Sequence, residues 1–248
     1  MHRDIILDFT GIYERENLHK NFSGTWVSLK DVYSCRGMVS KEAGKIIAGR
    51  IGKPSLGGIH FLDSGDYHYM TKFFTDQIRQ RFTLILIDHH TDLFKPRFPG
   101  VLTCGSWARE VLRENRYLDK LVIIGTDSLE VERDYGRLSP KIITVSEKEI
   151  QENKGRKKLE KVLSEESPIY ISLDKDILKE ETVQTNWNQG QMDLKTLRQI
   201  FGYLLETYEV LGVDICGEDP EVFDTETIEN NAYVNRLLYR KINNKIRA

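Results

Sequence analysis

Residues 84–94 read LILIDHHTDLF, an apolar run that ends in two carboxylates and two imidazoles within five positions. The four apolar residues Leu84 to Ile87, without polar alternation, are typical of a strand covered on both faces. In a parallel α/β sheet, ligands bind beyond the carboxyl ends of the strands, and residues 88–92 fall at that point. The stretch therefore predicts a buried parallel strand with a functional site at its end.

Further apolar runs of the same kind predict a sheet of several buried strands. Together with 83–87, the runs are 5–9, 57–62, 120–125, 141–145, 168–173 and 210–216. Amphipathic patterns between them predict helices, two of which begin after possible N-caps at Ser40 and Asp193. The helical ranges are roughly 40–51, 70–81, 105–116, 154–166, 193–208 and 225–246. Because strands that alternate with helices form right-handed crossovers, we expect a single three-layer α/β/α domain over residues 1–248, with a mostly parallel sheet.

The composition of the chain excludes several classes of partner. With 36 basic and 38 acidic residues, the net charge of −2 gives no reason to expect nucleic acid or an anionic membrane. Three widely spaced cysteines without a C-x-x-C pair argue against a disulfide framework and favour a reduced, cytoplasmic protein. We find neither a signal peptide nor a membrane anchor. We expect a small-molecule substrate, and the amphipathic C-terminal segment leaves a homo-oligomer open.

The polar cluster after the run 83–87 has the residue types of a metal site. In an extended chain, the period of two places Asp88, His90 and Asp92 on one side and His89 on the other. Two carboxylates so close raise each other's pKa unless a cation neutralises them, and a divalent metal accepts both oxygen and imidazole ligands. Taken alone, the cluster is equally consistent with a turn in which an aspartate caps backbone N–H groups.

Two other apolar runs end in the same residue types. These residues are Asp174 and Asp176 after the run 168–173, and Asp63, Asp66 and His68 after the run 57–62. Together the three strand ends supply enough carboxylates and imidazoles to hold two divalent ions. A dinuclear centre of that kind deprotonates a bound water and provides a hydroxide nucleophile at neutral pH.

Three motifs occur at these strand ends, S-G-D-Y-H (64–68), D-H-H-T-D (88–92) and S-L-D-K-D (172–176). In order and spacing they resemble the motifs of the arginase and agmatinase (ureohydrolase) family. The resemblance implies the three-layer fold and hydrolysis of a non-peptide C–N bond, by a metal-bridging hydroxide, in a small amidino, guanidino or amide compound. It also implies two manganese ions (Mn2+), with Asp88 and Asp174 as bridging ligands. The implied ligands are His68, Asp88, His90, Asp92, Asp174 and Asp176.

The chain departs from the family's pattern at two positions that handle substrate. Cys104, in T-C-G-S-W (103–107), stands where the family has a histidine that carries a proton to the leaving amine. Gly217, in D-I-C-G-E-D-P (214–220), stands where the family has a glutamate that receives the substrate guanidinium. The implied metal site is therefore retained, whereas the implied substrate site is altered.

Three residues are candidates for the catalytic groups. Cys104 could donate a proton or act as a nucleophile, with a buried packing cysteine as the alternative. His89 could transfer protons if it reaches the cavity, although extended geometry turns it away from the ligand side. Glu218 follows the position of the family's glutamate by one residue, and such a shift turns a strand side chain to the opposite face. Trp107 and Trp187 either shape a substrate pocket or pack.

Two other functions remain open. Histone-deacetylase-like enzymes have a similar fold and use one zinc ion to cleave amide bonds. A centre with one ion would not need all six ligands. A non-catalytic protein that keeps the metal to stabilise its fold and binds a partner is also consistent with the changes at positions 104 and 217. Metal analysis and turnover would distinguish the three functions. Two metal ions with turnover indicate the hydrolase, one zinc ion with amide turnover indicates the deacetylase, and metal without turnover indicates the non-catalytic protein.

Overall fold

A sheet of eight parallel strands forms the centre of the fold. The computed structural model describes residues 4–52, 56–98, 100–136, 139–152, 154–163 and 167–246. The strands are β1 (Ile5–Asp8), β2 (Thr25–Ser28), β3 (Met38–Val39), β4 (Ile59–Phe61), β5 (Phe82–Ile87), β6 (Leu102–Thr103), β7 (Leu118–Gly125), β8 (Ile142–Ser146), β9 (Ile169–Asp174) and β10 (Val210–Cys216). Neighbours in the order β2-β1-β4-β10-β9-β5-β7-β8 pair in parallel, and β3 pairs with β6 in a separate antiparallel ribbon. The predicted α/β fold with a mostly parallel sheet is confirmed.

Each of the seven apolar runs contains a strand of this sheet. The three strands that the sequence analysis did not predict are β2, β3 and β6. Strand β2 lies at the edge of the sheet and is mostly exposed or half-buried, so it lacks the apolar run of a covered strand. Strands β3 and β6 have two residues each, which is too short for a recognisable period.

Helices connect most of the strands. They are α1 (Ile12–Arg15), α2 (Lys41–Ile51), α3 (Met70–Thr75), α4 (Trp107–Glu114), α5 (Ser128–Tyr135), α6 (Glu147–Gln151), α7 (Gly155–Val162), α8 (Leu194–Thr207) and α9 (Thr225–Ile246). The predicted caps of α2 and α8 are confirmed, because Ser40 accepts a hydrogen bond from the N–H of Ala43 and Asp193 from that of Thr196. None of the helices in the described part of the chain has the length and apolarity that a membrane crossing requires.

Several helices differ from the predicted ranges. Helix α3 ends at Thr75, and the chain continues in tighter turns in which the N–H of Gln77 and of Ile78 each bond to the carbonyl three residues back. Helix α7 ends at Val162, and residues 164–166 of its predicted range lie outside the described residues. Helices α5 and α6 were not predicted, although both begin with a capping box.

Helices pack on both faces of the sheet. Side chains of a strand alternate between its faces, so Leu84 and Leu86 of β5 join one core cluster and Ile85 and Ile87 join the other. The first cluster contains buried residues of α2, α3 and α4, and the second contains those of α7, α8 and α9. These are the two helical layers that the prediction placed around the sheet.

The strand order places the three motifs side by side. Strands β4, β10, β9 and β5 are consecutive neighbours, and all four run parallel. Their carboxyl ends therefore lie at one edge of the sheet, where the chain continues into residues 62–68, 217–218, 175–176 and 88–92. Residues that are far apart in sequence meet at this edge because of the fold.

Candidate metal centre

His68, Asp88 and Asp92 form one half of a cluster at this edge. The Nδ1 atom of His68 lies 3.2 Å from Oδ2 of Asp88 and 3.1 Å from Oδ2 of Asp92. It also lies 3.6 Å from Oδ2 of Asp174. All four side chains are almost completely buried. One cation could therefore be reached by donor atoms from three separate chain segments.

His90 and Asp176 form the other half. The Nδ1 atom of His90 lies 2.8 Å from Oδ2 of Asp176 and 3.6 Å from Oδ1 of Asp88. Asp88 thus presents one carboxylate oxygen to each half of the cluster, which is the arrangement of a bridging ligand. The six residues that the sequence analysis selected as ligands are brought together, and their role as metal ligands stays a prediction.

The charges of the cluster favour a cation. Four carboxylates face two imidazoles, so even two imidazolium ions would leave two negative charges uncompensated. Burial, together with the charge of Asp88, raises the pKa of Asp92 to about 6. Burial lowers the pKa of His90, but its hydrogen bonds with Asp176 and Asp88 outweigh burial and raise the pKa to about 11. Protons on Asp92 and His90 therefore neutralise part of the negative charge of the cluster, and divalent ions would neutralise it more completely.

The turn after β5 is not extended, whereas the prediction that Asp88, His90 and Asp92 lie on one side assumed an extended chain. The N–H of His90 bonds to Oδ1 of Asp88 at 2.6 Å, and Asp92 has a φ of +52°. The N–H of His89 bonds to Oδ1 of Asp176 at 3.2 Å. Asp88 therefore accepts a backbone N–H with one oxygen and also faces the cluster. The capping turn and the candidate metal site, which the sequence analysis gave as alternatives, are both present at this residue.

A short 3₁₀ turn explains how His68 reaches the cluster. The turn covers Gly65–Tyr67 and ends at His68. Tyr67, the residue before His68, stacks on Phe9 in the core with ring centroids 3.9 Å apart. Asp63 does not join the cluster, because it accepts hydrogen bonds from the N–H groups of Phe9 and Thr10.

Two residues outside the cluster hold its ligands in place. The Nε2 atom of His68 lies 2.8 Å from the hydroxyl oxygen of Ser172, which leaves Nδ1 to face the carboxylates. The indole N–H of Trp107 donates to Asp92, and its ring packs 4.8 Å from that of His68. Partners of this kind fix the orientation of ligands in metal sites. The sequence analysis assigned no role to Ser172 and left open whether Trp107 shapes a substrate pocket or packs. Trp107 is fully buried.

The end of β10 contributes two residues that the sequence analysis did not include among the ligands. Gly217 has a φ of +95°, and a Cβ atom at this position would lie 2.3 Å from Oδ1 of Asp174. No other residue fits here without movement of Asp174. The thiol of Cys216 donates to Oδ2 of Asp174 at 3.2 Å and lies in one group with His68 and Asp174. The apolar run 210–216 contained this cysteine, but only the strand order places it beside Asp174.

The three predicted catalytic residues lie in different surroundings. Burial, with the charges of Asp92 and Asp66, raises the pKa of the half-buried Cys104 thiol to about 12, so this thiol is neutral. The ring of His89 turns toward Glu147 at the start of α6, with Nδ1 3.6 Å from Oε1. The side chain of Glu218 is fully buried and pairs with Lys175. The structure thus brings the predicted ligands together but holds the carboxylate of Glu218 in a separate ion pair.

That ion pair belongs to a buried polar network behind the cluster. Lys175 lies between two predicted ligands in the sequence, and its Nζ atom contacts Glu218 and lies 3.0 Å from Oδ1 of Asn235 on α9. The amide of Asn235 donates to Glu218 at 2.8 Å and to Glu16 at 2.7 Å. Sequence reasoning missed this network, because lysine and glutamate are almost never fully buried unless paired.

Asp66, in the same motif as His68, has polar partners of its own, and Trp187 lies beside the cluster. Asp66 lies 2.9 Å from Nε of Arg36 and 3.1 Å from the amide nitrogen of Asn186. The partly exposed ring of Trp187 stands at 74° to that of His90, with centroids 5.8 Å apart. Of the two alternatives for Trp187, a place beside a pocket or packing in the core, this partly exposed position favours the first.

Comparison with known proteins decides the family of the chain. The sequence profile of the Arginase family matches residues 19–238. The chain belongs to the arginase family. An uncharacterized protein of Thermotoga maritima is 32% identical over 242 residues, which cover 96% of this chain and 90% of that protein.

Several solved structures have the same fold. The formimidoylglutamase of Bacillus subtilis aligns with a TM-score of 0.70 and 14% identity, covering 98% of this chain and 87% of that chain. The formiminoglutamase of Trypanosoma cruzi, solved with Mn2+, aligns with a TM-score of 0.69 and 13% identity, covering 97% of this chain and 92% of that chain. The arginase-family resemblance found in the three motifs is confirmed.

Proposed function

We propose that this arginase-family protein is a metal-dependent hydrolase that cleaves a non-peptide C–N bond in a small amidino, guanidino or amide compound. The observation that carries the proposal is the meeting of six carboxylate and imidazole side chains from three strand ends, with one oxygen of Asp88 in each half. Homologues in the arginase family are hydrolases that act on C–N bonds.

The donor set fits two divalent cations. His68, Asp88, Asp92 and Asp174 would hold one ion, and Asp88, His90 and Asp176 would hold the other. Most of these donors are carboxylate oxygens, which suit Mn2+, the ion present in the Trypanosoma cruzi structure. Two such ions, when bound, polarise a planar carbon and lower the pKa of a water.

The residues around the cluster would handle the substrate. Cys104 stands where the family resemblance implies the proton-carrying histidine. Because its pKa is raised to about 12, it would give its proton only to a strongly basic leaving nitrogen. Gly217 offers no side chain to a substrate cation, and the partly exposed ring of Trp187, which lies beside His90, is a group that would contact one. The three free thiols, Cys35 among them, support a reducing, cytoplasmic location.

Metal analysis and turnover together test this function. We expect the purified protein, loaded with Mn2+ and dialysed, to hold two ions per chain and to release ammonia or urea from an amidino, guanidino or amide compound. Asp88→Ala and Asp174→Ala proteins should lose most of this metal, whereas Asp76→Ala, which removes an exposed carboxylate directly after α3, should keep it. Binding by Asp88→Ala equal to that of the parent would refute the metal centre, and one zinc ion with amide turnover would favour the deacetylase-like function instead.

A further inference from the structure

Cys216 is a potential sulfur donor at the edge of the metal centre. It is the last residue of β10, and the pairing with β9 places it directly beside Asp174. Its Sγ atom lies 3.2 Å from Oδ2 of Asp174, and its side chain is completely buried. Sγ, a carboxylate oxygen of Asp174 and a ring nitrogen of His68 all lie within 4.8 Å of one another.

These separations suit atoms that share one metal ion. Ligands at about 2.1 Å for nitrogen and oxygen and about 2.3 Å for sulfur lie roughly 3 to 4 Å from one another around a single ion. The distance from Cys216 to Asp174 and the 3.6 Å from His68 to Asp174 both fall in this range. A cation beside His68 would therefore meet the sulfur without rearrangement of the strands.

The other two cysteines have different surroundings. The thiol of Cys35 donates to the carbonyl oxygen of Val32 at 3.0 Å, as a buried packing cysteine does. Cys104 is half-buried, with its backbone N–H bonded to Gly37. Among the described residues, Cys216 is the one cysteine that belongs to a group able to hold a metal.

We propose that Cys216 is a thiolate ligand of the ion on the His68 side, and that this side selects a softer cation such as Zn2+ or Co2+ over Mn2+. The thiol proton that now points to Asp174 leaves to solvent when the ion binds, and the sulfur takes the ion in its place. Thiolate favours zinc-like ions, whereas the side formed by Asp88, His90 and Asp176 offers only oxygen and imidazole and suits Mn2+. The inference rests on the proposed function, because it requires the metal centre. It adds that the two halves of the centre differ in their ligands, with sulfur on the His68 side alone.

Cobalt is the probe that reports sulfur ligation directly. A thiolate bound to Co2+ gives an intense charge-transfer absorption in the near ultraviolet, which oxygen and imidazole ligands do not give. We expect this band on titration of the full-length metal-free protein with Co2+, and its loss in both Cys216→Ser and Cys216→Val. The matched controls Cys35→Ser and Cys104→Ser should keep the band. Circular dichroism checks that each variant is folded, and the band in the parent protein tests the proposal without any variant.

Metal affinity provides the second measurement. We expect Cys216→Ser to weaken Zn2+ binding at least about 10-fold, because loss of a residue that only hydrogen-bonds to a metal ligand already costs that much. The affinity for Mn2+ should change much less. Cobalt bound without the band, or a band that persists in both Cys216 variants, would overturn the sulfur ligand and leave the proposed function intact. If the parent bound no divalent ion at all, the proposed function would fail as well, so the two failures are distinguishable.

Discussion

Gly217 shows at the scale of one residue why this position cannot carry the glutamate that the family resemblance implies. Its left-handed backbone and its contact with Asp174 leave no room for a side chain. We expect Gly217→Ala to weaken metal binding at least about 10-fold, because the new Cβ displaces Oδ1 of Asp174. Gly136→Ala is the matched control, since Gly136 also has a positive φ but nothing within 4 Å of a Cβ atom. Calorimetric titration with Mn2+ measures both, and equal affinities would contradict the steric explanation.

The ion pair of Lys175 with Glu218 is a second feature of single residues. Both side chains are fully buried, so removal of either partner leaves a buried charge without its counterion. We expect Lys175→Met or Glu218→Leu to lower the free energy of unfolding by about 3–5 kcal/mol. The double variant should recover most of this loss, because an apolar pair has no charge to desolvate. Denaturant unfolding of all four proteins measures the coupling, and additive losses would show that the two residues act independently.

At the scale of elements, the sequence predicted strand ends better than the turns that follow them. Short unbroken apolar runs gave every covered strand, because burial on both faces leaves a simple composition. The turn at 88–92 could not be derived, since its shape depends on Asp88 accepting an N–H and on the indole of Trp107 reaching Asp92. Both partners are set by tertiary packing. The six residues that meet in the cluster could be selected from the sequence because carboxylates and imidazoles are unusual directly after a buried strand.

Helix α5 supports that turn and can be weakened separately from it. Its N-cap Asp127 accepts hydrogen bonds from Leu129 and Glu130, and its Asp134 accepts one from the hydroxyl of Thr91 at 2.6 Å. We expect Asp127→Ala to lower the free energy of unfolding by about 1 kcal/mol. The control Glu132→Ala, on the exposed side of the same helix, should change it by less than about 0.5 kcal/mol. Urea unfolding measures both, and equal losses would mean that the cap does not stabilise the helix.

At the scale of the whole molecule, metal and pH should act together on stability. The pKa of His90 is raised to about 11, so its protonated form stabilises the metal-free fold at neutral pH, and this stabilisation is lost as the pH rises toward 11. A metal must displace that proton, so its affinity increases over the same range. We expect Mn2+ to raise the melting temperature more at pH 9 than at pH 7. Thermal unfolding with Mn2+ and with a chelator at both pH values measures the difference, and a constant shift would contradict it.

The fold class followed from the sequence, but the order of the strands did not. Alternation of strands and helices is enough for a parallel sheet between helices. It does not specify that β10 is inserted between β4 and β9, because each neighbour is chosen by side-chain packing along the whole strand. The position of Cys216 beside Asp174 and the contact of Gly217 with the same residue both depend on that insertion. They are therefore features that only three-dimensional coordinates provide.

The same insertion has a consequence for how the protein is made. On the ribosome, β1, β2 and β4 emerge first and β5, β7 and β8 follow, yet these two groups do not touch each other in the finished sheet. They are joined through β9 and through β10, which follow the other strands of the described residues in the chain. A chain in which β9 and β10 have not yet formed therefore holds two separate groups of strands. The carboxyl ends of β4 and β5 come to one edge of the same sheet only when β9 and β10 lie between them.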